Sequence, residues 1–560
     1  MKLNPIQLVK EEIKNIIEKA MAAQGLDGFG AEIELEKPKD AGHGDFASNI
    51  AMRLAKPAKA APRVIADRLI GAFCLDGSPV ERAESAGPGF INFTLKPVWF
   101  YSVLELIQKE GADYGRVEIG QGKKVMVEFV SANPTGPMHV GNARGGAIGD
   151  VLASVLDFAG YDVTREFYIN DAGNQIEKFG MSLEARYLQL LLGEDSVKFP
   201  EDGYHGEDIT QLMREYIELY GDRELSKDSK ERRQALAAFG LEKNIAGIQK
   251  TMEQFGVTYD VWFRESELYR TGEVQKTIDQ LCATGKAYEK DGATWFGATA
   301  FGAEKDEVLV RSNGIPTYFA ADIAYHQNKF KTRGFDTVID VWGADHHGHT
   351  ARMKGAMDIL GIDPDRLQFV LMQLVRLMRD GEVYKVSKRT GKAVTLNELL
   401  EDIGSDAARF FFNLRQPSSH FDFDLDLAVS QTNENPVYYV QYAYARCCSI
   451  LRMLEAEGIR VPAYSQVDCS LLNTPQEMAL LERLSAFPQE ITEAALLYEP
   501  SKITRYTIEL ASVFHSFYNA NRVKGEEEGL MNARLLLIDC VKTTLQNALG
   551  VLGVTALERM

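Results

Sequence analysis

His139 and Asn142 stand three residues apart at the mouth of an apolar helical run, and Lys385 and Lys388 stand three apart in a basic, turn-forming segment far downstream. These residue types suit the handling of a nucleoside triphosphate. The first pair lies in Ser131-Ala-Asn-Pro-Thr-Gly-Pro-Met-His-Val-Gly-Asn-Ala-Arg-Gly145, a polar loop that leads into a helical run from about His139 to Ala159. Helical residues three apart share a face, so His139 and Asn142 point the same way, and Gly141 between them removes a side chain from a ligand's path. A helix N-terminus adds unpaired N–H groups and partial positive charge, which favour phosphate. An imidazole there can hydrogen-bond a phosphoryl oxygen as charge builds during displacement. In Lys385-Val-Ser-Lys-Arg-Thr-Gly-Lys392 the two lysines, among small polar neighbours, suit a mobile clamp on departing pyrophosphate. Alone, the first segment is an ordinary helix cap and the second an exposed basic loop. Together, each beside a predicted strand, they read as two halves of one nucleotide site.

Such a site needs a frame. Val125-Met-Val-Glu-Phe-Val130 is a short apolar run suited to a buried parallel strand. Val163–Tyr168 follows the helical run at βαβ spacing, and strand-like runs return at Thr337–Trp342 and Leu367–Leu371. This predicts a Rossmann-type, doubly wound parallel sheet whose crevice opens at the carboxyl ends of the strands. The charged, mostly helical stretch from about 175 to 300 reads as an insertion in it. Residues 1–115 read as a separate α/β module. There Asn4 caps a helix with Pro5 at its first position, Ala31–Glu36 alternates like a strand, and Gly87–Leu95 reads as a turn and strand. Beyond about residue 430 the pattern is nearly all helical. The expected division is 1–115, a catalytic domain over 116–430 with its insertion at about 180–300, and an all-α helical bundle over 431–560.

Composition bounds the partners. With 560 residues, 45% hydrophobic and 25% charged, the chain has apolar material for several cores. A formal net charge of −18 argues against indiscriminate polyanion binding, though a local basic surface can still hold one RNA. The acidic residues that interrupt the first apolar runs exclude a signal peptide, and no stretch reads as a membrane span. A cytoplasmic protein is expected. Cys74, Cys282, Cys447, Cys448, Cys469 and Cys540 have no CxxC or metal spacing and read as free thiols, with no zinc site.

The two segments resemble the signatures of class I aminoacyl-tRNA synthetases, HIGH (here His139-Val-Gly-Asn142) and KMSKS (here Lys385-Val-Ser-Lys-Arg389). Within that class the chain resembles the arginyl-tRNA synthetases over nearly its whole length. The resemblance runs through Gly44–Asn49, Gly87–Asn92, Glu128–Pro134, Tyr168–Gln175, Thr317–Ala324, Trp342–His349 and Asn435–Ala443, in the family's order. Asn142 stands for the last histidine of HIGH, Val386 for the methionine of KMSKS and Arg389 for its final serine; no needed donor is lost.

The resemblance implies ATP-dependent attachment of L-arginine to tRNA(Arg) by a mostly monomeric enzyme. It implies four parts: an N-terminal domain contacting the tRNA elbow, a Rossmann catalytic domain, an insertion, and a helical anticodon-binding domain. His139, Asn142, Lys385 and Lys388 become the catalytic residues, and ATP is held by His139, Gly141, Asn142, Gly343, Asp345 and Lys388. Arginine is held by Glu128, Ser131, Asn133, Tyr318, Asp322 and His346. Tyr318 and Asp322, four apart on a helix, face together toward the guanidinium, whose planar donors pair best with carboxylates. Asp345, His346 and His349 also invite a zinc reading, but a strand-end turn lining the site is preferred, and magnesium on the ATP phosphates is the only metal expected. Tyr438, Gln441, Tyr442 and Arg446, with Asn519, Asn521 and Arg522, are candidates to stack or bind unpaired RNA bases. A nucleotidyltransferase acting on a small metabolite is disfavoured by the flanking modules, and a non-catalytic relative by the retained signature residues.

Overall fold

The computed structural model of the chain describes residues 4–38, 40–384 and 394–560. Lys385 and Lys388 therefore lie outside the described residues. Helix α1 (Pro5–Ala23) starts as the sequence dictates, with the Asn4 carboxamide oxygen accepting the Gln7 N–H at 2.7 Å and Pro5 at the first position. It lies over a module made of β1 (Phe46–Ser48), α2 (Ile50–Ala58), α3 (Pro62–Ile70), β2 (Val80–Ala86) and β3 (Phe90–Leu95). The three strands form an antiparallel sheet in the order β1-β3-β2. The expected strand at Ala31–Glu36 is extended chain, joined to the sheet only by Glu36 bridging Ala47. Its alternation records Ile33 facing the core, which needs no neighbouring strand. Edge strand β2, mostly polar and partly exposed, carries no apolar alternation and escapes the sequence reading.

After α4 (Pro97–Glu110) the chain enters the central sheet through β4 (Lys124–Phe129), α5 (Val140–Phe158) and β5 (Asp162–Ile169). Helices α6 (Asn174–Leu192), α7 (Glu207–Tyr220) and α8 (Ser229–Gln254) share a core of their own around Phe179, Leu183, Tyr187, Met213 and Tyr216. The chain then returns to the sheet as β6 (Val261–Arg264). The insertion is thus shorter than the sequence suggests. β6 is a main-sheet strand, too short and too exposed to stand out from its charged surroundings. It is followed by α9 (Glu265–Arg270), α10 (Glu273–Ala283), β7 (Ala287–Lys290), β8 (Ala293–Phe296) and β9 (Glu307–Val310). These share a core with α11 (Tyr318–Gln327) and α12 (His347–Ile359). β10 (Thr337–Gly343) and β11 (Leu367–Met372) complete the sheet.

Its order is β11-β10-β4-β5-β6, and all four pairings are parallel. The order reverses between β4 and β10, which is where a doubly wound sheet opens a ligand crevice. Helix α5 covers that point at close range. A Cβ on Gly149 would sit 2.1 Å from the Phe129 ring, so only glycine lets the helix lie this near β4.

Past the sheet come β12 (Val375–Arg379), β13 (Glu382–Val383), α13 (Leu396–Ile403), α14 (Ser405–Phe412), β14 (Phe421–Asp424) and α15 (Leu425–Val429). The helical domain follows: α16 (Pro436–Glu455), α17 (Pro475–Ser485), α18 (Phe487–Leu497), α19 (Ser501–Ala520) and α20 (Glu528–Leu552). α20 alone among the described helices has the length and apolar composition of a membrane span, yet most of it is buried inside the molecule, against α4, α5, α16 and α19. The Asn547 amide donates to the Gly111 and Tyr114 carbonyls (2.9 and 3.0 Å), tying the last helix to the segment that precedes the sheet.

Arg409, fully buried on α14, joins these parts. It pairs with Asp150 of α5, donates to the Gly256 carbonyl after α8 (3.0 Å), and donates to the Leu552 carbonyl at the end of α20 (3.1 Å). Removing one partner of a buried pair strands the other charge. Arg409→Met should therefore lower stability by about 3–5 kcal/mol, read as a fall in the urea midpoint. A midpoint unchanged from the parent would refute this role.

Candidate active site

Three buried carboxylates lie side by side across the sheet. Asp340 on β10 is the register partner of Glu128 on β4, and Glu128 is the partner of Glu166 on β5. Asp340 and Glu166 are 0% exposed and Glu128 is 7% exposed. Unpaired, such charges would be prohibitive. Their partners come from one stretch of chain, α11 and the π-helical turn Asn328–Thr332 that continues it. Lys329, fully buried, donates to Glu128 (2.6 Å) and Asp340 (2.9 Å). Arg333 donates to both oxygens of Glu166, which also accepts the Tyr325 hydroxyl. His326 Nε2 lies 2.7 Å from Asp340. Burial alone would lower the Lys329 ammonium, but Asp340, Glu128 and Glu166 more than reverse this and raise it. Burial pushes the Glu128 carboxyl up against the opposing pull of Lys329. At Asp340 burial is outweighed by Lys329 and His326, which hold it at about 2.

Above this row the chain leaves β4 in a strained turn. The Ser131 N–H donates back to the Phe129 carbonyl (3.1 Å), with Val130 at φ 72° and Ser131 at φ 46°. A β-branched residue in this region is an outlier, and such strain clusters at functional sites. The turn aims the Ser131 hydroxyl so that it donates to Glu128 (2.8 Å) and accepts the Tyr168 N–H (3.1 Å). His139 is the N-cap residue of α5 and makes no capping bond with its side chain, which leaves the imidazole available. A Cβ on Gly141 would meet nothing within 4 Å, so the backbone there borders open space. The loop after residue 393 is fastened to this segment: Val140 N–H donates to Val394 O (3.1 Å), and Leu396 N–H to Met138 O (2.9 Å).

The loop divides two cavities. One, of about 1120 Å³, lies between His139, Asn142 and the Tyr204–Asp208 segment that leads into α7. The other, of about 720 Å³, takes in Glu128, Ser131, Asn133, Gly141, Asn142, Asp322, Gly343, Asp345 and His346. The expected ATP and arginine residues of the described chain line these two cavities except Tyr318, which stands half-exposed at the first position of α11, one turn before Asp322. Among the described residues no cluster of three or more His, Cys, Asp or Glu gathers at metal-binding geometry.

On one side of the second cavity Asp322 lines the wall and further carboxylates lie buried behind Asn170. The Asp322 carboxylate faces His349 Nε2 at 3.3 Å. Glu265, at the start of α9 and 2% exposed, accepts from the Asn170 amide (2.9 Å, amide set to donate). Asp171 fixes that helix by accepting the Ser266 N–H and hydroxyl, both at 2.9 Å. Burial, and then repulsion from Asp322, pushes Glu265 up to about 7. No described lysine or arginine pairs with Glu265 or Asp322 by side chain. Sequence reasoning missed Glu265, His326, Lys329 and Asp340, because no motif marks them; a burial-shifted carboxylate beside a cleft is the signal that finds the first.

On the helical domain, Tyr438 and Tyr442 stack at 6.1 Å and 5°, and Tyr442 stacks on His515. The Arg446 guanidinium covers Tyr442 and Tyr518 at 4.6 and 4.4 Å. Gln441 does not join them. It is buried, and its amide donates to Asp406 and to the Thr555 carbonyl, both at 2.9 Å, so it binds helix to helix rather than RNA. Asn521 is likewise buried, accepting from Thr474 and Arg534.

A parallel sheet with this switch point, an H-x-G-N helix start and an appended helical domain define a class I aminoacyl-tRNA synthetase. The family description for the class I (R) catalytic domain matches residues 103–415. The arginyl tRNA synthetase N-terminal domain matches 7–95, and the DALR anticodon binding domain 440–560. The chain is 60% identical over 553 residues to an arginine–tRNA ligase of Acetivibrio thermocellus, covering 99% of this chain and 98% of that one. It is 59% identical to that of Caldanaerobacter subterraneus subsp. tengcongensis over the full length of both. Among solved structures, the Thermus thermophilus arginyl-tRNA synthetase shares the fold with a TM-score of 0.75 at 24% identity, covering 98% of this chain and 100% of that one. The chain belongs to the arginyl-tRNA synthetase family.

The carboxylate row yields a pH-dependent prediction. Asp340 is held below its usual value, so its pairing contributes stability that is fully present above about pH 4 and is lost as pH falls toward about 2. Lys329→Met should cost about 3–5 kcal/mol at pH 7, and the gap should narrow as acid protonates the carboxylates. Urea midpoints of both proteins across pH 3–7 measure this; a gap of constant size would contradict it.

Proposed function

We propose that the chain binds ATP and L-arginine together at the switch point, forms arginyl-adenylate, and transfers the arginine to tRNA(Arg). The observation that carries the arginine reading is Asp322 on the cavity wall with Glu265 buried behind Asn170 of that wall, two carboxylates that no described lysine or arginine neutralises. A guanidinium supplies the missing charge in a planar fork that matches carboxylates. Asp322 and Tyr318 hold it from α11, with Glu265 behind them, while Glu128, Ser131, Asn133 and His346 orient the rest of the amino acid. The substrate carboxylate oxygen then attacks the α-phosphorus, and the bond from the α-phosphorus to the bridging oxygen breaks, releasing pyrophosphate. His139, Asn142 and the α5 N-terminus hold the phosphates, and Gly141, Gly343 and Asp345 border the nucleoside. Lys385 and Lys388 stabilise the charge on the departing pyrophosphate. Magnesium, carried on the ATP phosphates and water, supplies charge neutralisation when bound. A terminal ribose hydroxyl of the tRNA, the 2′-OH by class, then attacks the adenylate carbonyl and AMP leaves.

The stacked Tyr438, Tyr442 and Arg446, joined by His515 and Tyr518, offer aromatic and cationic faces to unpaired bases of the tRNA. The enzyme acts as a monomer in the cytoplasm. Arginine-dependent ATP–pyrophosphate exchange, with and without tRNA(Arg) and with other amino acids as controls, tests the reading. Exchange only with arginine and tRNA together is the expected result. Exchange with arginine alone keeps the enzyme and removes the tRNA requirement; silence from a folded, ATP-binding protein overturns the reading.

The raised Glu265 adds a pH signature. A guanidinium pairs with the ionised carboxylate, so below pH 7 arginine must displace a proton. Affinity for arginine should fall by up to about tenfold per pH unit below 7 and level off above it. Calorimetry at pH 6.5 in buffers of different ionisation enthalpy should register proton release, and Glu265→Gln should abolish it. A flat affinity between pH 6 and 8 would remove Glu265 from the guanidinium site.

A further inference from the structure

The carboxylate row holds one more negative charge than its lysine and arginine cancel. Asp340, Glu128 and Glu166 face Lys329 and Arg333, which leaves one negative charge that a proton on a neighbouring group would meet. Two groups can carry it, Glu128 or His326, and the hydrogen bonds distinguish them. At Glu128 one oxygen takes the Ser131 hydroxyl and the other the Lys329 ammonium (2.8 and 2.6 Å). Since the Ser131 oxygen already accepts the Tyr168 N–H, its single proton is free to donate to Glu128, and with Lys329 each oxygen of that carboxylate has a donor.

His326 is arranged the opposite way. It is 3% exposed, with Nε2 2.7 Å from Asp340 and Nδ1 2.7 Å from the Asp322 carbonyl oxygen. A carbonyl oxygen only accepts, and so does an ionised carboxylate, the form of Asp340 that the Lys329 ammonium at 2.9 Å favours. A neutral imidazole has one N–H and would leave one of these close contacts lone pair against lone pair. Tyr325, Lys329 and Arg333 lie on its own stretch of chain, Glu128, Glu166 and Asp340 on the strands, and His349 of α12 faces the Asp322 carboxylate. The Trp342 ring meets His326 edge to face at 6.4 Å.

We propose that His326 is a positioning residue held as the doubly protonated imidazolium, the third cation of the carboxylate row, whose two N–H bonds lock the Asp322 turn of α11 to β10. Its ring borders the second cavity, with both nitrogens turned to Asp340 and the Asp322 carbonyl. It acts through Asp322, and its value for arginine binding rests on the reading that Asp322 meets the guanidinium. The protonation state does not depend on that reading.

The two parts are tested separately on the full chain. With ¹⁵N-labelled histidine, long-range ¹H–¹⁵N correlation at pH 7.5, assigned by the signals lost in His326→Gln, should show both His326 ring nitrogens in the protonated range. One protonated and one bare nitrogen would overturn the proposal, and wild-type protein alone carries that test even if the variant folds poorly, because every buried histidine signal can be typed. In calorimetry, His326→Gln should weaken arginine at least about tenfold while ATP affinity stays within about twofold. Equal loss for both ligands would mean a merely structural residue and would overturn the positioning role. If wild-type protein binds no arginine, the functional reading fails while the spectrum still decides the charge of His326.

Discussion

The row of Asp340, Glu128 and Glu166 is the constraint on which the rest of the structure depends. Parallel strands place register partners side by side, so three acids at equivalent positions must share one narrow buried band. Nothing but close cations makes that tolerable, and α11 with its π-helical turn brings them. A regular α-helix would continue past Gln327 without the wider turn, and π-helical turns are found mostly at functional sites. Here Lys329 and Arg333, four apart, reach different acids of the same row. The arrangement fixes α11 on the sheet, and the first turn of α11 carries Tyr318 and Asp322 to the cavity. Charge balance beneath the sheet thus sets the geometry above it.

Much of this was legible in the sequence, for physical reasons that can be named. Strands buried on both faces read as continuous apolar runs, so β4, β5, β10 and β11 appear within a residue or two of their bounds. The H-x-G-N segment was legible because a helix N-terminus that binds phosphate needs small residues and free N–H groups in a fixed order. Short strands were not: β6 has only Val261–Arg264 to declare itself, and its place at the sheet edge depends on pairing with β5. Ala31–Glu36 alternates without being a strand because burial on one side gives the same pattern as a ladder.

The missed site residues share a cause. Glu166, Asp340 and Glu265 matter through neighbours far away in the chain, and register across strands cannot be read from any one of them. Gln441 shows the converse. Aromatic crowding on α16 marked the right helix but not its faces, and Gln441 belongs with the inward stripe of Val437, Val440 and Tyr444, where its amide is fully used. Tyr438, Tyr442 and Arg446, spaced four apart, keep the outer face, and His515 and Tyr518 join them only because α19 packs alongside.

The grip of Arg409 on the end of α20 has a consequence for the order of events during synthesis. A growing chain has made β4, α5 and their glycine-rich contact long before α20 leaves the ribosome. Until then Arg409 and Asp150 pair without the Leu552 carbonyl, the apolar faces of α4 and α5 that α20 covers are open, and the carbonyls of Gly111 and Tyr114 lack the Asn547 amide. The setting of α5 therefore includes contacts that only the last helix supplies.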